Sequence, residues 1–223
     1  MARPLSQLIY HRIRDEDASP RIITLHDRGL FGPSAAELGR AAAGSGRVIA
    51  LESYKGVYAG RSVVGYTWFV GPDDVPSPVF FGDALAEIER FLWDEVDRQK
   101  TSSAELPFLI GTGQGGIMAL AAAAAVPDLL SGIIAIDAFL PVVPGWEPPL
   151  IPLAGLPILL IERDGFVHPG NRVLHGDHLA SVLRNWGAEV TYMPGPDEDV
   201  PTSLLSSWTA TQPVRHIEIP PAS

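Results

Sequence analysis

The first residues that suggest chemistry are the glycines of Gly111-Thr112-Gly113-Gln114-Gly115-Gly116, which follow an apolar segment and open an alanine-rich one. One interpretation is a tight turn in which missing side chains let a helix lie close to a strand. A second is dinucleotide binding, because Gly111-x-Gly113-x-x-Gly116 fits the fingerprint and Asp137 ends the next strand. However, at least two strand–helix units precede this loop, whereas the fingerprint normally occupies the first unit of its domain.

The third interpretation is the elbow G-x-S-x-G, in which a strained backbone presents a nucleophile above the sheet. Gly113 stands where the serine would be. Glycine adopts that conformation at little cost, so the geometry is retained while the nucleophile is lost. Thr112 is the nearest hydroxyl, but we expect its side chain to point away from the tip of the elbow.

Five further segments favour the third interpretation. In chain order they are residues 25–29 (Leu-His-Asp-Arg-Gly), 65–69 (Gly-Tyr-Thr-Trp-Phe), 135–141 (Ala-Ile-Asp-Ala-Phe-Leu-Pro), 159–169 (Leu-Leu-Ile leading to Asp164, then Val-His-Pro) and 192–195 (Tyr-Met-Pro-Gly). Together with the glycine loop they resemble the ordered motifs of the phospholipase/carboxylesterase family of α/β-hydrolases, which includes the acyl-protein thioesterases. The resemblance runs from about residue 22 to residue 208.

This resemblance implies a catalytic triad of which two members are missing. Gly113 takes the place of the serine, Asp164 matches the acid, and Pro196 or Asp197 stands where the histidine belongs. Without a hydroxyl there is no acyl-enzyme, and without an imidazole there is no proton shuttle. The triad is therefore degenerate. A water molecule activated by Asp27, Asp164 or Asp197 is the non-serine route that remains.

The resemblance also assigns an oxyanion hole to the backbone N–H groups of Arg28 and Gln114, beside Gly29. Asp27 replaces a family glycine there, and its carboxylate would disfavour an oxyanion if it faced the site. If it pointed away, the hole would still bind a carbonyl oxygen. His26 is expected to fix this loop by hydrogen bonding rather than to act as a base.

Other histidines give weaker signals. His168 lies in the same loop as Asp164, so a pair is conceivable, although a surface position is favoured. His175 and His178 have a spacing that can hold a metal, but no third ligand is evident, and no metal site is predicted. His11 and His216 lie in terminal segments.

By the same resemblance, five side chains are expected to line an acyl pocket: Tyr66, Trp68, Phe69, Phe139 and Leu140. Trp146 lies in a nearby loop, where capping the core is an equally good interpretation. An apolar pocket with a few polar groups is typical of small-ligand sites.

The elements that position these residues follow from hydrophobic patterning. Strands are predicted at 21–25, 47–51, 107–110, 132–136, 157–161 and 188–192, with an edge strand at 8–13. Helices are predicted at 34–43, 83–99, 115–125, 171–186 and 202–211. Alternating strands and helices indicate an α/β fold. We predict one domain, residues 1–223, with the α/β-hydrolase fold: a mostly parallel central sheet flanked by helices on both faces.

Composition limits the classes of partner. The 223 residues carry a formal charge of −10, which disfavours nucleic acids and anionic membrane surfaces. There is no cysteine, so thiolate chemistry and disulfides are excluded. No apolar stretch is long enough to span a bilayer, and the first residues do not resemble a signal peptide, so we expect a cytoplasmic protein without membrane insertion. No cofactor is predicted, and a homodimer is left open.

Two function classes follow from the sequence. The first is a family protein that binds or turns over a small apolar ester or acyl-type ligand by a non-serine route, and not an ordinary serine esterase. The second is a non-catalytic ligand-binding or regulatory pseudo-esterase. Dinucleotide binding through the glycine loop is a remote third.

Overall fold

A seven-stranded sheet forms the centre of the computed structural model, which describes residues 5–14, 18–167, 173–195 and 200–219. The described residues form eleven strands in all, seven in this sheet and two in each of two small sheets. They are β1 (Ile9–Arg14), β2 (Arg21–Leu25), β3 (Arg47–Glu52), β4 (Lys55–Ala59), β5 (Ser62–Thr67), β6 (Ser103–Glu105), β7 (Phe108–Thr112), β8 (Gly132–Ile136), β9 (Pro157–Glu162), β10 (Glu189–Pro194) and β11 (His216–Glu218). The order in the large sheet is β1-β3-β2-β7-β8-β9-β10. Within the described part of this sheet, only the pairing of β1 with β3 is antiparallel. The predicted edge strand and parallel sheet are confirmed.

Five α-helices accompany the sheet within the described residues. They are α1 (Ala36–Ala43), α2 (Pro78–Arg98), α3 (Gln114–Ala125), α4 (Gly176–Asn185) and α5 (Thr202–Thr211), and short 3₁₀ helices lie at Gly32–Ala35 and Pro127–Leu129. The prediction for α5 matches its bounds. Helix α4 is shorter than predicted, because His175 has an extended backbone and caps the helix at its start. All of the helices in the described ranges are too short or too polar to cross a membrane.

Side chains alternate along the central strands between two separate cores. On β9, Ile158 and Leu160 belong to the core under α2, α3 and α4, whereas Leu159 and Ile161 belong to the core under α1 and α5. This alternation is the consequence of a two-residue side-chain period in strands covered on both faces. The predicted arrangement of helices on both faces of the sheet is therefore confirmed.

Helix α3 lies unusually close to the centre of the sheet. A Cβ at Gly115 would lie 2.3 Å from the Leu25 carbonyl oxygen, and one at Gly111 would lie 2.2 Å from the Gly115 carbonyl carbon. Neither position tolerates a side chain, so the glycines bring the start of α3 to the carboxyl ends of β2 and β7. These ends are where open α/β sheets bind ligands.

The hairpin of β4 and β5 was not predicted from the sequence. It pairs Lys55–Ala59 with Ser62–Thr67 outside the main sheet. Its strands are largely exposed and mix polar with apolar residues, so they lack the apolar runs of the central strands. The sequence signal that could have indicated the hairpin is Gly60, which has a φ of +63° in the turn between the two strands.

Candidate functional site

Gly113 forms the sharp turn between β7 and α3. Its φ of 50° and ψ of −120° lie in a region that residues with side chains rarely adopt. Its N–H donates to the Ile136 carbonyl oxygen at 3.0 Å, and its own carbonyl accepts from the Ile117 N–H, also at 3.0 Å. The backbone is thus held in the strained form that presents position 113 above the sheet.

The carboxylate of Asp27 fills the space that the sequence assigned to an oxyanion. Its Oδ1 accepts a hydrogen bond from the Arg28 N–H at 2.6 Å and another from the Gln114 N–H at 2.9 Å. These are the two donors expected to form the oxyanion hole. Of the two orientations that the sequence left open for Asp27, the structure has the one that faces the site.

The same carboxylate also excludes a side chain at position 113. A Cβ on Gly113 would lie 2.1 Å from Asp27 Oδ1 and 2.5 Å from Oδ2. Both distances are far below van der Waals contact, so a serine at position 113 and the present Asp27 rotamer are mutually exclusive. Asp27 and Gly113 are thus sterically complementary.

Gln114 and Arg28 tie this loop to the segment after β5. Gln114 Oε1 accepts from Thr67 Oγ1 at 2.7 Å, and its Nε2 donates to Asp73 Oδ1 at 2.8 Å. The Arg28 guanidinium donates to the Gly71 carbonyl at 2.8 Å. Both side chains therefore serve as supports, while their backbone N–H groups face Asp27.

Gly29 joins the loop to the β4–β5 hairpin. Its N–H donates to the Tyr66 carbonyl oxygen at 2.7 Å. A Cβ on Gly65 would lie 1.9 Å from the Gly29 carbonyl oxygen, so the two backbones approach as closely as glycine allows. The hairpin fixes the loop that carries Asp27.

His26 is a fully buried support of the same loop. Its Nδ1 donates to the Asp27 carbonyl oxygen at 2.7 Å, and its Nε2 accepts from the Ser53 N–H at 3.2 Å. Its ring stacks on Trp68 at a centroid distance of 5.0 Å. Both ring nitrogens are used for structure, and this pattern of one donor and one acceptor requires the neutral imidazole.

Burial lowers the pKa of His26 below its ordinary value of 6.5, against smaller raising effects of the bond to Asp27 and the charge of Glu52. Below pH 6.5 the imidazole of His26 therefore becomes protonated in the unfolded chain while it stays neutral in the folded protein. We expect the free energy of unfolding to fall as the pH drops from 7.5 to 5.5, with His26 contributing at most about 1.4 kcal/mol per pH unit.

Urea unfolding across this pH range checks the expectation. His26→Gln should flatten the slope, whatever its own stability, while Ser207→Ala, which changes an exposed residue of α5 that does not titrate, should leave the slope unchanged. Equal slopes in the wild type and His26→Gln would contradict it.

The structure corrects the expected acyl pocket. Trp68, Phe69 and Phe139 are at most 2% exposed and belong to the core, so they line no open cleft. The Trp68 indole donates to the His26 carbonyl oxygen at 2.8 Å, which accounts for its position. The physical reason is that these rings are taken up by the core: Trp68 stacks on His26 and Phe69 packs on Phe81 of α2.

Tyr66 and Leu140 lie elsewhere than in a shared pocket. Tyr66 is half-buried and packs edge-on against Phe31 at 5.8 Å. Leu140 lines a cleft of about 270 Å³ together with Trp146 and Trp186. The five predicted pocket residues are therefore divided between the core, the hairpin and a small apolar cleft.

Comparison with known proteins agrees with this architecture. Residues 70–190, more than half of the chain, match the family model described as phospholipase/carboxylesterase. This chain belongs to the phospholipase/carboxylesterase family. The predicted α/β-hydrolase fold is confirmed, and the stated resemblance is confirmed as to family.

Several solved structures superpose over most of the chain. A carboxylesterase from Mesorhizobium loti has a TM-score of 0.68 at 18% identity, covering 87% of this chain and 90% of that one. The Bacillus cereus carboxylesterase also reaches 0.68, at 14% identity and 92% coverage of both chains. Arabidopsis thaliana SOBER1 reaches 0.60 at 16% identity, covering 85% of this chain and 95% of that one. At these identities the likeness shows the fold alone. The comparison with curated proteins finds no match.

Asp164, the match for the family acid, lies in the exposed loop after β9. A Cβ on Gly195, just after β10, would lie 3.2 Å from Asp164 Oδ1, so this loop adjoins the segment where the family histidine belongs. Asp197 and His168 lie outside the described residues. Asp164 therefore lies near the end of β10, and its assigned role as the triad acid stays a prediction.

Sequence reasoning missed an ion pair beside the elbow. Asp137 is 3% exposed, has a φ of +49°, and accepts from the Arg163 backbone N–H at 2.9 Å and from its guanidinium. A signal was available, because Asp137 and Arg163 follow two neighbouring parallel strands, β8 and β9. Nothing in the pattern, however, distinguished an ion pair from two solvent-exposed charges.

This geometry leaves dinucleotide binding without support. The Gln114 N–H at the start of α3, which a pyrophosphate would use, donates to Asp27, and a carboxylate there repels phosphate. Asp137 is committed to Arg163 rather than open to a ribose. The glycines of the loop are required for close packing of α3. Among the described residues, no group of three potential metal ligands comes together.

Proposed function

We propose that this protein is a member of the phospholipase/carboxylesterase family that binds a small acyl-type ligand without hydrolysing it through a serine. One observation carries the proposal: Asp27 Oδ1 accepts from both Arg28 N–H and Gln114 N–H. The donors that would stabilise an oxyanion are already paired with the protein's own carboxylate.

The cost of this arrangement for ester hydrolysis is large. Removing a single oxyanion-hole donor from a hydrolase lowers kcat by about 100- to 1000-fold. Here both donors are engaged, and an oxyanion forming above Gly113 would also meet the negative charge of Asp27. Because position 113 has no hydroxyl, no acyl-enzyme forms either.

What remains of the site supports binding. The backbone at the elbow, the loop carrying Asp27 and the segment held by Gln114 are fixed by hydrogen bonds. A crevice of about 690 Å³ opens at the ends of the neighbouring strands. Its volume falls within the range of small-molecule sites.

A second candidate function rests on the other oxygen of the same carboxylate. Asp27 Oδ2 lies 2.5 Å from the point where a Cβ of residue 113 would be, and so close to the place of a family nucleophile. A carboxylate in this place is positioned to take a proton from water. The second candidate is thus slow hydrolysis by water that Asp27 activates.

Hydrolysis of p-nitrophenyl butyrate separates these functions. For the wild type we expect no turnover above the buffer rate and no labelling by a fluorophosphonate, which reacts with activated serines. Labelling of the wild type would overturn both candidates.

Turnover that disappears in Asp27→Asn, and persists in Asp97→Asn on the exposed face of α2, would overturn the binding-only proposal and establish the second candidate. The Asn retains an oxygen for the two N–H donors, so this variant tests the charge while keeping the shape of the site.

A further inference from the structure

The crevice of about 690 Å³ is a site separate from the space occupied by Asp27. Thr112, Ile136 and Arg163, which end or follow β7, β8 and β9, form its floor. Thr112 faces this crevice, whereas a Cβ at the next residue, Gly113, would point at Asp27. The two spaces therefore lie on opposite sides of the elbow, which agrees with the expected direction of the Thr112 side chain.

The walls of the crevice are apolar over much of their extent. Helix α1 contributes Leu38 and Ala41, and the chain entering α5 contributes Val200 and Pro201. With Ile136 they form a surface suited to an aliphatic chain. Burying such a chain contributes about 25 cal/mol per Å² of apolar area removed from water.

The charged side chains of the described lining belong to two ion pairs. Two guanidinium groups, those of Arg40 and Arg163, line the crevice with one carboxylate, that of Glu37. Arg40 pairs with Glu37, and Arg163 pairs with the buried Asp137 behind the lining. An anionic group on a ligand can therefore gain a guanidinium only by replacing one of these carboxylates.

The two arginines differ in how firmly they are held. Arg163 is oriented by the buried Asp137, so its position is set by the fold. Arg40 pairs with Glu37 on the surface of α1, where the Glu37 side chain is 85% exposed. Such exposed pairs contribute little, so a ligand can take over the Arg40 guanidinium at small cost. The planar fork of arginine fits a carboxylate with two parallel hydrogen bonds.

We propose that this crevice binds a small carboxylic acid with an aliphatic chain, its carboxylate on Arg40 next to Arg163 and its chain along Leu38, Ala41 and Val200. This inference rests on the proposed function and narrows it, because the ligand is the free acid rather than an ester. The acid is bound beside the elbow and not in the occupied oxyanion hole.

Isothermal titration with sodium octanoate tests the inference. We expect octanoate to bind, 1-octanol to bind at least about ten-fold more weakly because it lacks the charge, and acetate to bind more weakly because it lacks the chain. Equal affinity for octanoate and octanol would overturn the assignment of a carboxylate site. Equal affinity for octanoate and acetate would overturn the assignment of the apolar wall as the binding surface for the aliphatic chain.

A variant pair locates the ligand. Arg40→Gln should weaken octanoate binding about ten-fold, since a charge-assisted hydrogen-bonded pair is lost, while Arg184→Gln on α4 should leave it unchanged. Thermal unfolding should be alike in the two variants, because both arginines are exposed.

Unchanged octanoate affinity in Arg40→Gln, or no binding to the wild type, would overturn the inference. Fluorophosphonate labelling of the wild type would instead overturn the proposed function, so the two failures are distinguishable.

Discussion

Gly113→Ser is expected to lower the free energy of unfolding by about 3 kcal/mol and to create no esterase. The strained backbone at φ 50° accounts for about 1–3 kcal/mol once a Cβ is present. The remaining cost comes from the Asp27 carboxylate, which the new side chain must displace from 2.1 Å. Hydrolysis stays absent because the sequence has no histidine between His178 and His216.

The control for this prediction is a double-mutant cycle with Asp27→Gly. If the two residues are complementary, Asp27→Gly should relieve part of the damage, so that Asp27→Gly/Gly113→Ser is more stable than the two single effects imply. A coupling of about 1–3 kcal/mol is expected for groups in direct contact. Urea unfolding of the four proteins measures it. Additive effects would show that Asp27 and Gly113 are independent, against the interpretation of the site given above.

Arg163→Met is expected to destabilise the protein by about 3 kcal/mol, because it leaves the carboxylate of Asp137 buried with no compensating charge. Asp137 is 3% exposed, and among the described residues it would keep the backbone N–H of residue 163 as its hydrogen-bond donor. The aliphatic part of methionine preserves the volume near the strand ends, so the loss reports on charge rather than on packing. Denaturant unfolding at neutral pH measures it.

Two variants define the cause of that loss. Arg40→Gln removes an arginine from a pair whose acid is 85% exposed, and a change within about 0.5 kcal/mol is expected. Asp137→Asn combined with Arg163→Met removes both charges, and asparagine tolerates the positive φ of position 137. The double variant should recover most of the stability. If it stays as unstable as Arg163→Met, the loss comes from packing.

The two predictions concern two aspartates near the elbow, Asp27 and Asp137, which are stabilised in different ways. Asp27 is stabilised by backbone donors that a hydrolase reserves for its transition state. Asp137 is stabilised by a neighbouring arginine that also lines the crevice. Both aspartates are therefore held by donors of the protein itself at the strand ends.

The sheet and its helices could be predicted from sequence because they rest on local patterns. Apolar segments such as 132–136 and 157–161 predict strands that are buried on both faces. The helix Thr202–Thr211 is bounded by prolines on both sides in the sequence. The elbow was equally local, since consecutive glycines identify a turn that side chains would block. The exposed β4–β5 hairpin carried no such pattern, and it was missed.

The sequence by itself determined that position 113 carries no side chain, because the absence of a functional group needs no coordinates. That the family histidine is missing is implied by the resemblance and stays a prediction. Only the tertiary structure decided where the Asp27 carboxylate points. Its rotamer depends on two N–H donors from Arg28 and Gln114, the second of which is 87 residues away in sequence. Likewise, only the fold decided that Trp68, Phe69 and Phe139 lie in the core, since long-range packing decides which rings are buried.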